Sequence, residues 1–259
     1  MPHGLKENIP YVPVSIIIPV LNNLEWTKQC LESVFDTNAR ECEIIIIDNA
    51  STDGSLNYLE SLKTNNKELR IISNPKNIGV AASWNQGIRE SVYNYVCIIN
   101  NDIKIFTKDW LYKMQSILAN KISVYWTSPR TCYTLNPKKA LFNPSHYEQL
   151  VYSAIRTDYV VACCFMCPKS IFNEIGFFDE NFEVKYYEDL DFIARILSSN
   201  KKVKMTRDVL IYHGVGKTSR TIAGGENNEN YYQSKWGGTP YDILAMQPGR
   251  KIKSVKHFN

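Results

Sequence analysis

The sequence predicts an α/β fold, a Rossmann-like, mixed but mainly parallel sheet flanked by helices. Three observations carry that expectation. Short, almost wholly apolar runs recur through the first hundred residues, as expected of strands covered on both faces. Segments with apolar residues at three- and four-residue spacing separate them, the helical period. Polar residues follow each apolar run, and in doubly wound sheets ligands collect at the carboxyl ends of the strands.

The elements follow in order. Val14-Ser-Ile-Ile-Ile-Pro19 reads as the first strand, and Leu21-Asn22-Asn23 as a polar turn. Trp26, Cys30, Leu31 and Val34 then lie on one face of a helix. Glu43-Ile-Ile-Ile-Ile-Asp48 is the second strand; Asn49-Ala-Ser-Thr-Asp-Gly-Ser55 supplies turn and cap chemistry before a helix through Leu56, Leu59 and Leu62. Arg70-Ile-Ile-Ser is a third strand, residues 80–91 a third helix, and Tyr95-Val-Cys-Ile-Ile99 a fourth strand. That strand breaks into Asn100-Asn101-Asp102 before turning apolar again, which places three polar side chains where a strand meets a ligand crevice. Beyond it the pattern is less regular: a strand over 159–166, a helix over 169–175, a loop over 176–182 and a helix over 188–198.

Length and composition bound the function. A chain of 259 residues suits one large α/β domain. The net charge of +4 is mild, with basic residues scattered except near Arg250, Lys251, Lys253 and Lys256; this argues against a nucleic-acid binder and leaves room for an anionic ligand. No apolar run reaches transmembrane length and the first residues lack a signal peptide's apolar core. A cytoplasmic protein is expected, with peripheral membrane contact left open. The seven cysteines do not suggest a disulfide framework. Cys163-Cys164-x-x-Cys167 has the look of a metal knuckle, but sits in an apolar strand context, which favours structural thiols.

Several nucleotide-binding readings fail on single residues. A dinucleotide fold needs Gly-x-Gly-x-x-Gly after the first strand, where this chain has Pro19-Val-Leu-Asn-Asn-Leu. A receiver domain would be about half as long. Gly214-Val-Gly-Lys-Thr-Ser219 lacks the first glycine of a phosphate-binding loop, since residue 211 is Ile. A sugar-nucleotide pyrophosphorylase would carry a glycine- and Arg/Lys-rich first loop, which is missing too.

The motifs "VSIIIPVLNN", "IIIIDNASTDGS", "NPKNIGVAASWNQGI", "CIINNDI", "GFFDENF" and "YYEDLDFIARI" occur in that order. Together, over residues 13–216, they resemble the inverting family 2 glycosyltransferases with the GT-A fold, nearest the rhamnosyltransferase-like branch with Asn-x-Asp at its metal site. The resemblance implies one GT-A domain. Residues 13–104 would form the nucleotide-sugar half, 105–216 the acceptor and catalytic half, and 217–259 a flexible lid with a basic tail.

By the same resemblance, Asp48 reads the base of the donor; an ionised carboxylate only accepts hydrogen bonds, which suits a ring N–H. Pro19, Asn22 and Ser51 line the base, and Asn77 and Gly79 form a third loop in which glycine permits close approach of the backbone. Asn100, Asn101 and Asp102 stand where the family has Asp-x-Asp. Asp102 is the expected ligand of a divalent cation, Mn²⁺ or Mg²⁺, because diphosphate oxygens call for a hard ion; Asn100 would touch the ribose or a metal-bound water. His213 matches a further metal ligand. Asp189 is the expected general base, with Glu188 the alternative, while Asp191 and Arg195 fall at i, i+4 and form a structural pair. Asp158, Trp126, Tyr186 and Tyr187 are candidates for an acceptor cleft. The implied reaction moves a hexose or deoxyhexose from a nucleoside-diphosphate sugar, UDP- or dTDP-linked, to a hydroxyl of a glycan or glycoconjugate. The missing first Asp keeps a second reading open, a catalytically inactive nucleotide-sugar- or carbohydrate-binding module.

Overall fold

The structure is a computed structural model that describes residues 10–38, 40–63, 69–121, 123–132, 162–214, 223–240 and 242. Its first half follows the expected beat: β1 (Val14–Val20), α1 (Leu24–Thr37), β2 (Cys42–Asp48), α2 (Ser55–Lys63), β3 (Leu69–Ser73), α3 (Val80–Glu90) and β4 (Tyr95–Ile99). There follow β5 (Ile103–Ile105), α4 (Trp110–Asn120), β6 (Val124–Cys132), β7 (Cys164–Pro168), α5 (Ile171–Ile175), α6 (Glu188–Ser198), β8 (Lys202–His213) and α7 (Asn228–Trp236).

The strands form one eight-stranded sheet in the order β3-β2-β1-β4-β7-β6-β8-β5. Pairings β1–β2, β2–β3, β1–β4 and β6–β8 are parallel; β4–β7, β6–β7 and β5–β8 are antiparallel. The sheet is thus mixed, and it runs without a break through the two expected halves. Consecutive isoleucines are all buried because successive side chains point to opposite covered faces. Ile16 and Ile18 of β1 pack towards Leu31 and Val34 of α1 and Trp110 and Leu111 of α4. Ile17 of β1, with Ile45 and Ile47 of β2, packs towards Trp84 and Ile88 of α3 and Phe192 of α6. Each such fully buried side chain contributes about 1.5–3 kcal/mol. Gly87 lets α3 lie close on β1: a Cβ there would stand 2.4 Å from Ile17 Cγ2.

Three differences from the sequence reading have local causes. Strand β7 spans Cys164–Pro168, running two residues past the expected end at 166, with Cys164 opposite Ile99 at the end of β4; residues 159–161 of the expected strand lie outside the described set. Strand β6 contains Pro129, a residue disfavoured inside strands, and the pairing with β8 shifts register between Pro129 and Arg130. The apolar run that resumes after Asn100-Asn101-Asp102 is not a continuation of β4. It is β5, at the far edge of the sheet, antiparallel to β8 with Ile103 opposite His213.

Cys163, Cys164 and Cys167 are buried in the core, and burial pushes the Cys164 and Cys167 thiols well above their usual range. Cys164 and Cys167 are core thiols of β7, as the strand context predicts, while Cys163 sits in the turn ahead of it. Trp126 is core as well, stacked on Phe165 at 3.7 Å; Asp158 lies outside the described residues. Of the segment expected as lid and tail, residues 223–240 include α7, whose Tyr232 is fully buried beside Phe182 and Ala194. The remainder of 217–259, apart from Asp242, lies outside the described residues. No described helix is long and apolar enough to cross a membrane.

Candidate active site

The polar residues expected at the strand ends do gather along one edge of the sheet, and the loops there are laced together. Asp48 closes β2 and is buried; its carboxylate accepts weakly from the Ser51 N–H, at 3.3 and 3.4 Å. The Ser51 hydroxyl in turn accepts the Asn22 N–H at 2.8 Å, while the Asn22 side-chain oxygen accepts the Thr52 N–H at 2.7 Å. Asn22 and Asn23 hold left-handed backbone conformations, φ 59° and 63°, which asparagine tolerates better than most side chains. Asp53 caps both loops, accepting from Leu24 N–H and from Ser55. Asn22 and Ser51 therefore shape the crevice beside Asp48 by gripping each other. Pro19 stands in β1 opposite Ile47.

The third loop meets a different neighbour from the one its glycine suggested. The Asn77 side chain accepts the Gly79 N–H at 3.0 Å, and Gly79 has φ 84°. A Cβ at Gly79 would lie 3.3 Å from Val184 Cα, and the Val80 N–H donates to Val184 O at 2.9 Å. The close approach that requires glycine is thus to the chain just ahead of Glu188-Asp189. The loop expected to hold the donor and the turn expected to carry the base are joined.

Asn100, Asn101 and Asp102 divide their tasks. The Asn100 N–H donates to Cys163 O at 2.8 Å. The buried Asn101 amide donates to Thr27 Oγ1 at 3.0 Å and Asn22 O at 3.2 Å, so it braces α1 and the first loop. Asp102 is buried, 4% exposed, and its Oδ1 lies 3.4 Å from His213 Nε2. Residues 111 positions apart in sequence meet because β5 pairs with β8, and the Gly214 N–H donates to Asp102 O at 2.8 Å. Burial pushes the His213 imidazole down, but the neighbouring Cys163 sulfur and Asp102 carboxylate outweigh it and raise its pKa to about 10. A cation that displaced the imidazole proton would meet one hard oxygen and one imidazole nitrogen here. Among the described residues no group of three or more His, Cys, Asp or Glu forms a complete metal cage, so a cation here would take its other ligands from a bound phosphate or water.

Glu188 and Asp189 open α6, where the helix dipole favours acidic groups. Their surroundings differ. Glu188 is buried with its Oε2 unpartnered, and burial, then the charge of Asp189, raises its pKa well above the usual carboxylate range. Asp189 is only half-buried and accepts the Leu190 N–H at 2.8 Å; burial raises it to about 6 against that hydrogen bond. Asp191 is fully buried and binds Arg195 Nε at 2.9 Å, Lys235 Nζ at 2.8 Å and Trp236 Nε1 at 3.0 Å. The i, i+4 pair is real, and it also anchors α7.

The residues missed by sequence reasoning lie on that helix. Asn228, Tyr232, Lys235 and Trp236 all face α6 or the loop ahead of it. Their stretch, Asn-Glu-Asn-Tyr-Tyr-Gln-Ser-Lys-Trp, is polar apart from Tyr231, Tyr232 and Trp236, and only the aromatic pair Tyr232 and Trp236 at i, i+4 marks its packed face. A second signal was Gly224-Gly225, which marks a close backbone approach: Cβ atoms there would lie 2.7 Å from Val184 Cγ2 and from Lys185 O.

Comparisons with known proteins agree with this geometry. A sequence model described as glycosyl transferase family 2 matches residues 15–176. An uncharacterized glycosyltransferase of Rickettsia felis is 38% identical over 104 residues, covering 40% of this chain and 17% of its own length. One of Rickettsia typhi is 24% identical across 98% of this chain and 79% of its own. Among solved structures, a mannosyltransferase of Pyrobaculum calidifontis in complex with GDP-Man and Mn²⁺ superimposes with a TM-score of 0.63 at 17% identity, over 80% of this chain and 58% of its own. The fold is of the GT-A type. The chain spans less than a third of the length of the first curated relatives it matches.

Proposed function

The chain belongs to glycosyl transferase family 2, and from that premise we propose that it transfers a hexose or deoxyhexose, with inversion, from a UDP- or dTDP-linked sugar to a hydroxyl of a glycan or glycoconjugate. The observation that carries this reading is the meeting, at 3.4 Å, of Asp102 in the turn after β4 with His213 at the end of β8, on the side of the sheet where the carboxyl end of β2 carries Asp48. A carboxylate and an imidazole suit a divalent cation, Mn²⁺ or Mg²⁺, and such an ion would offset the charge of the departing diphosphate. Asp102 and His213 are the residues that would hold it. The Mn²⁺ and GDP-Man bound by the Pyrobaculum mannosyltransferase support that assignment by analogy of fold.

The contrast between the adjacent carboxyls supports Asp189 as base. Where two titratable neighbours are pushed apart, the one that ionises near neutrality takes the proton. Glu188, buried and beside the Asp189 charge, is pushed well above the usual carboxylate range; Asp189, raised only to about 6, is ionised at pH 7. Asp189 would accept the acceptor hydroxyl's proton as that oxygen bonds the anomeric carbon, and the bond to the diphosphate oxygen breaks on the opposite face. Asp48 is suited to a ring N–H of uracil or thymine, and the grip between Asn22 and Ser51 pre-shapes the wall beside it.

One observation favours the rival reading of a non-catalytic binding module: Asn100 supplies no charge where the family pattern has Asp. Incubation with UDP-, dTDP- and GDP-sugars, with and without Mn²⁺ and a glycan acceptor, separates the two. Release of free nucleoside diphosphate that requires both metal and acceptor is the expected result. Donor binding without release at any metal concentration would make the chain a binder.

A further inference from the structure

We infer that Asn228 of α7 is a positioning residue, whose buried side-chain amide holds the 183–187 turn in the conformation that aims Asp189 at the acceptor hydroxyl. This rests on the reading of Asp189 as base.

The turn is strained. Val184, Tyr186 and Tyr187 have φ of 53°, 72° and 74°, a region that costs about 1–2 kcal/mol for a side chain with a Cβ and more for a β-branched one. Three such residues among four persist only where the surroundings over-determine them. The surroundings here include the Asn228 side chain, three glycines and the Val80 N–H, which donates to Val184 O. Asn228 is 1% exposed; its Oδ1 accepts the Glu183 N–H at 3.0 Å, and its Nδ2 donates to Glu183 O and Lys185 O at 2.8 Å and to Tyr186 O at 3.1 Å. The N–H acceptor and the carbonyl partners fix which way the amide faces, since the reverse orientation would set oxygen against three carbonyls. Gly79 clears room for Val184, as do Gly224 for its side chain and Gly225 for the Lys185 carbonyl. The turn ends at Tyr187, whose carbonyl accepts the Asp191 N–H at 2.9 Å in the first turn of α6. Nothing lies between the clamped carbonyls and Asp189 but Tyr187 and Glu188. An amide holding three carbonyls of a strained turn, the last of them three residues ahead of a reacting carboxyl, sets that carboxyl's placement and its hydration.

The test uses the full chain with N228A, N228D and D189N. N228D keeps the acceptor for Glu183 N–H but turns a carboxylate oxygen on the three carbonyls. Both N228 variants should lose about 10- to 100-fold in kcat per folded molecule, the scale of a small misplacement of a reacting group, with the donor KM within about twofold. The acid limb of the pH profile should move to lower pH, because a loosened turn admits water to Asp189 and relieves the burial that raises it. A purely structural role would lower Tm and folded yield but leave kcat per folded molecule and the acid limb in place; that result overturns the inference. Where N228A does not fold, N228S, which restores one donor, carries the same comparison. If D189N remains active, the base assignment itself has failed; if D189N is inactive while the N228 variants match the parent in kcat and acid limb, the inference alone has failed.

Discussion

Asp189→Asn tests the assignment that separates a transferase from a binder. The substitution removes the proton acceptor and keeps the side chain's shape, and with it an oxygen able to accept the 2.8 Å bond from Leu190 N–H. General-base assistance is worth about 10²–10⁴ in rate, so kcat should fall by that factor. Donor affinity should hold within about twofold, because Asp48, Asp102 and His213 lie on other elements. The wild-type pH profile supplies an independent magnitude. With the Asp189 carboxyl raised to about 6, roughly half of it is ionised at pH 6 and about one-tenth at pH 5, so kcat at pH 5 should be about tenfold below its plateau. The plateau is reached as pH rises above 7, since deprotonation creates the active form. Release of nucleoside diphosphate, measured at saturating donor and acceptor from pH 4.5 to 8, reads both quantities. A profile flat to pH 5 in folded protein, or a D189N variant with full kcat, would refute the reasoning.

Glu188→Gln should retain activity within about tenfold while altering the pH dependence of stability. The raised Glu188 carboxyl contributes its stability below the ordinary Glu range, and that contribution is lost as pH rises towards its folded-state value; urea titrations from pH 5 to 8 should therefore show the variant losing less stability than the wild type. Asp102→Ala should abolish the rise in Tm that a nucleoside diphosphate gives with Mn²⁺, about 2.7 kcal/mol of stabilisation at a hundredfold excess over Kd; a rise of wild-type size in the variant would place the ion elsewhere. Gly87→Ala should cost about 1–3 kcal/mol by overpacking, since its Cβ would stand 2.4 Å from Ile17 Cγ2 in the core; an unchanged melt would mean that α3 shifts freely on β1.

What the sequence made legible tracks how local each determinant is. Strands β1, β2 and β4 could be read because burial on both faces writes an unbroken apolar run, and the ends of those runs point to Asp48 and to the Asn100–Asp102 break. Strand β6 is obscured by Pro129, and β5 reads only as a return of an interrupted apolar run, because nothing in three residues says which edge of the sheet they join. Gly79 was legible as a close-approach position, but the partner was not. That partner is Val184, a residue with no anomaly in sequence whose φ of 53° exists only through tertiary support.

The two ends of the proposed site, a donor side and a base side, are thus specified in different ways. On the donor side, Asp48, Asn22, Ser51 and Asp53 fix one another across loops that each follow directly from a strand, so local sequence nearly suffices. On the base side, the positions of Glu188 and Asp189 depend on α7, some forty residues later, through Asn228 to the turn and through Lys235 and Trp236 to Asp191. Gly79 and Val80 join the two ends, since the donor loop packs against that same clamped turn. A change that frees α7 should therefore be felt at the base first and at the donor loop second. Substitutions at Lys235 or Trp236 should depress kcat before they raise the donor KM, whereas the reverse order would mean that the donor loop, not α7, holds the turn.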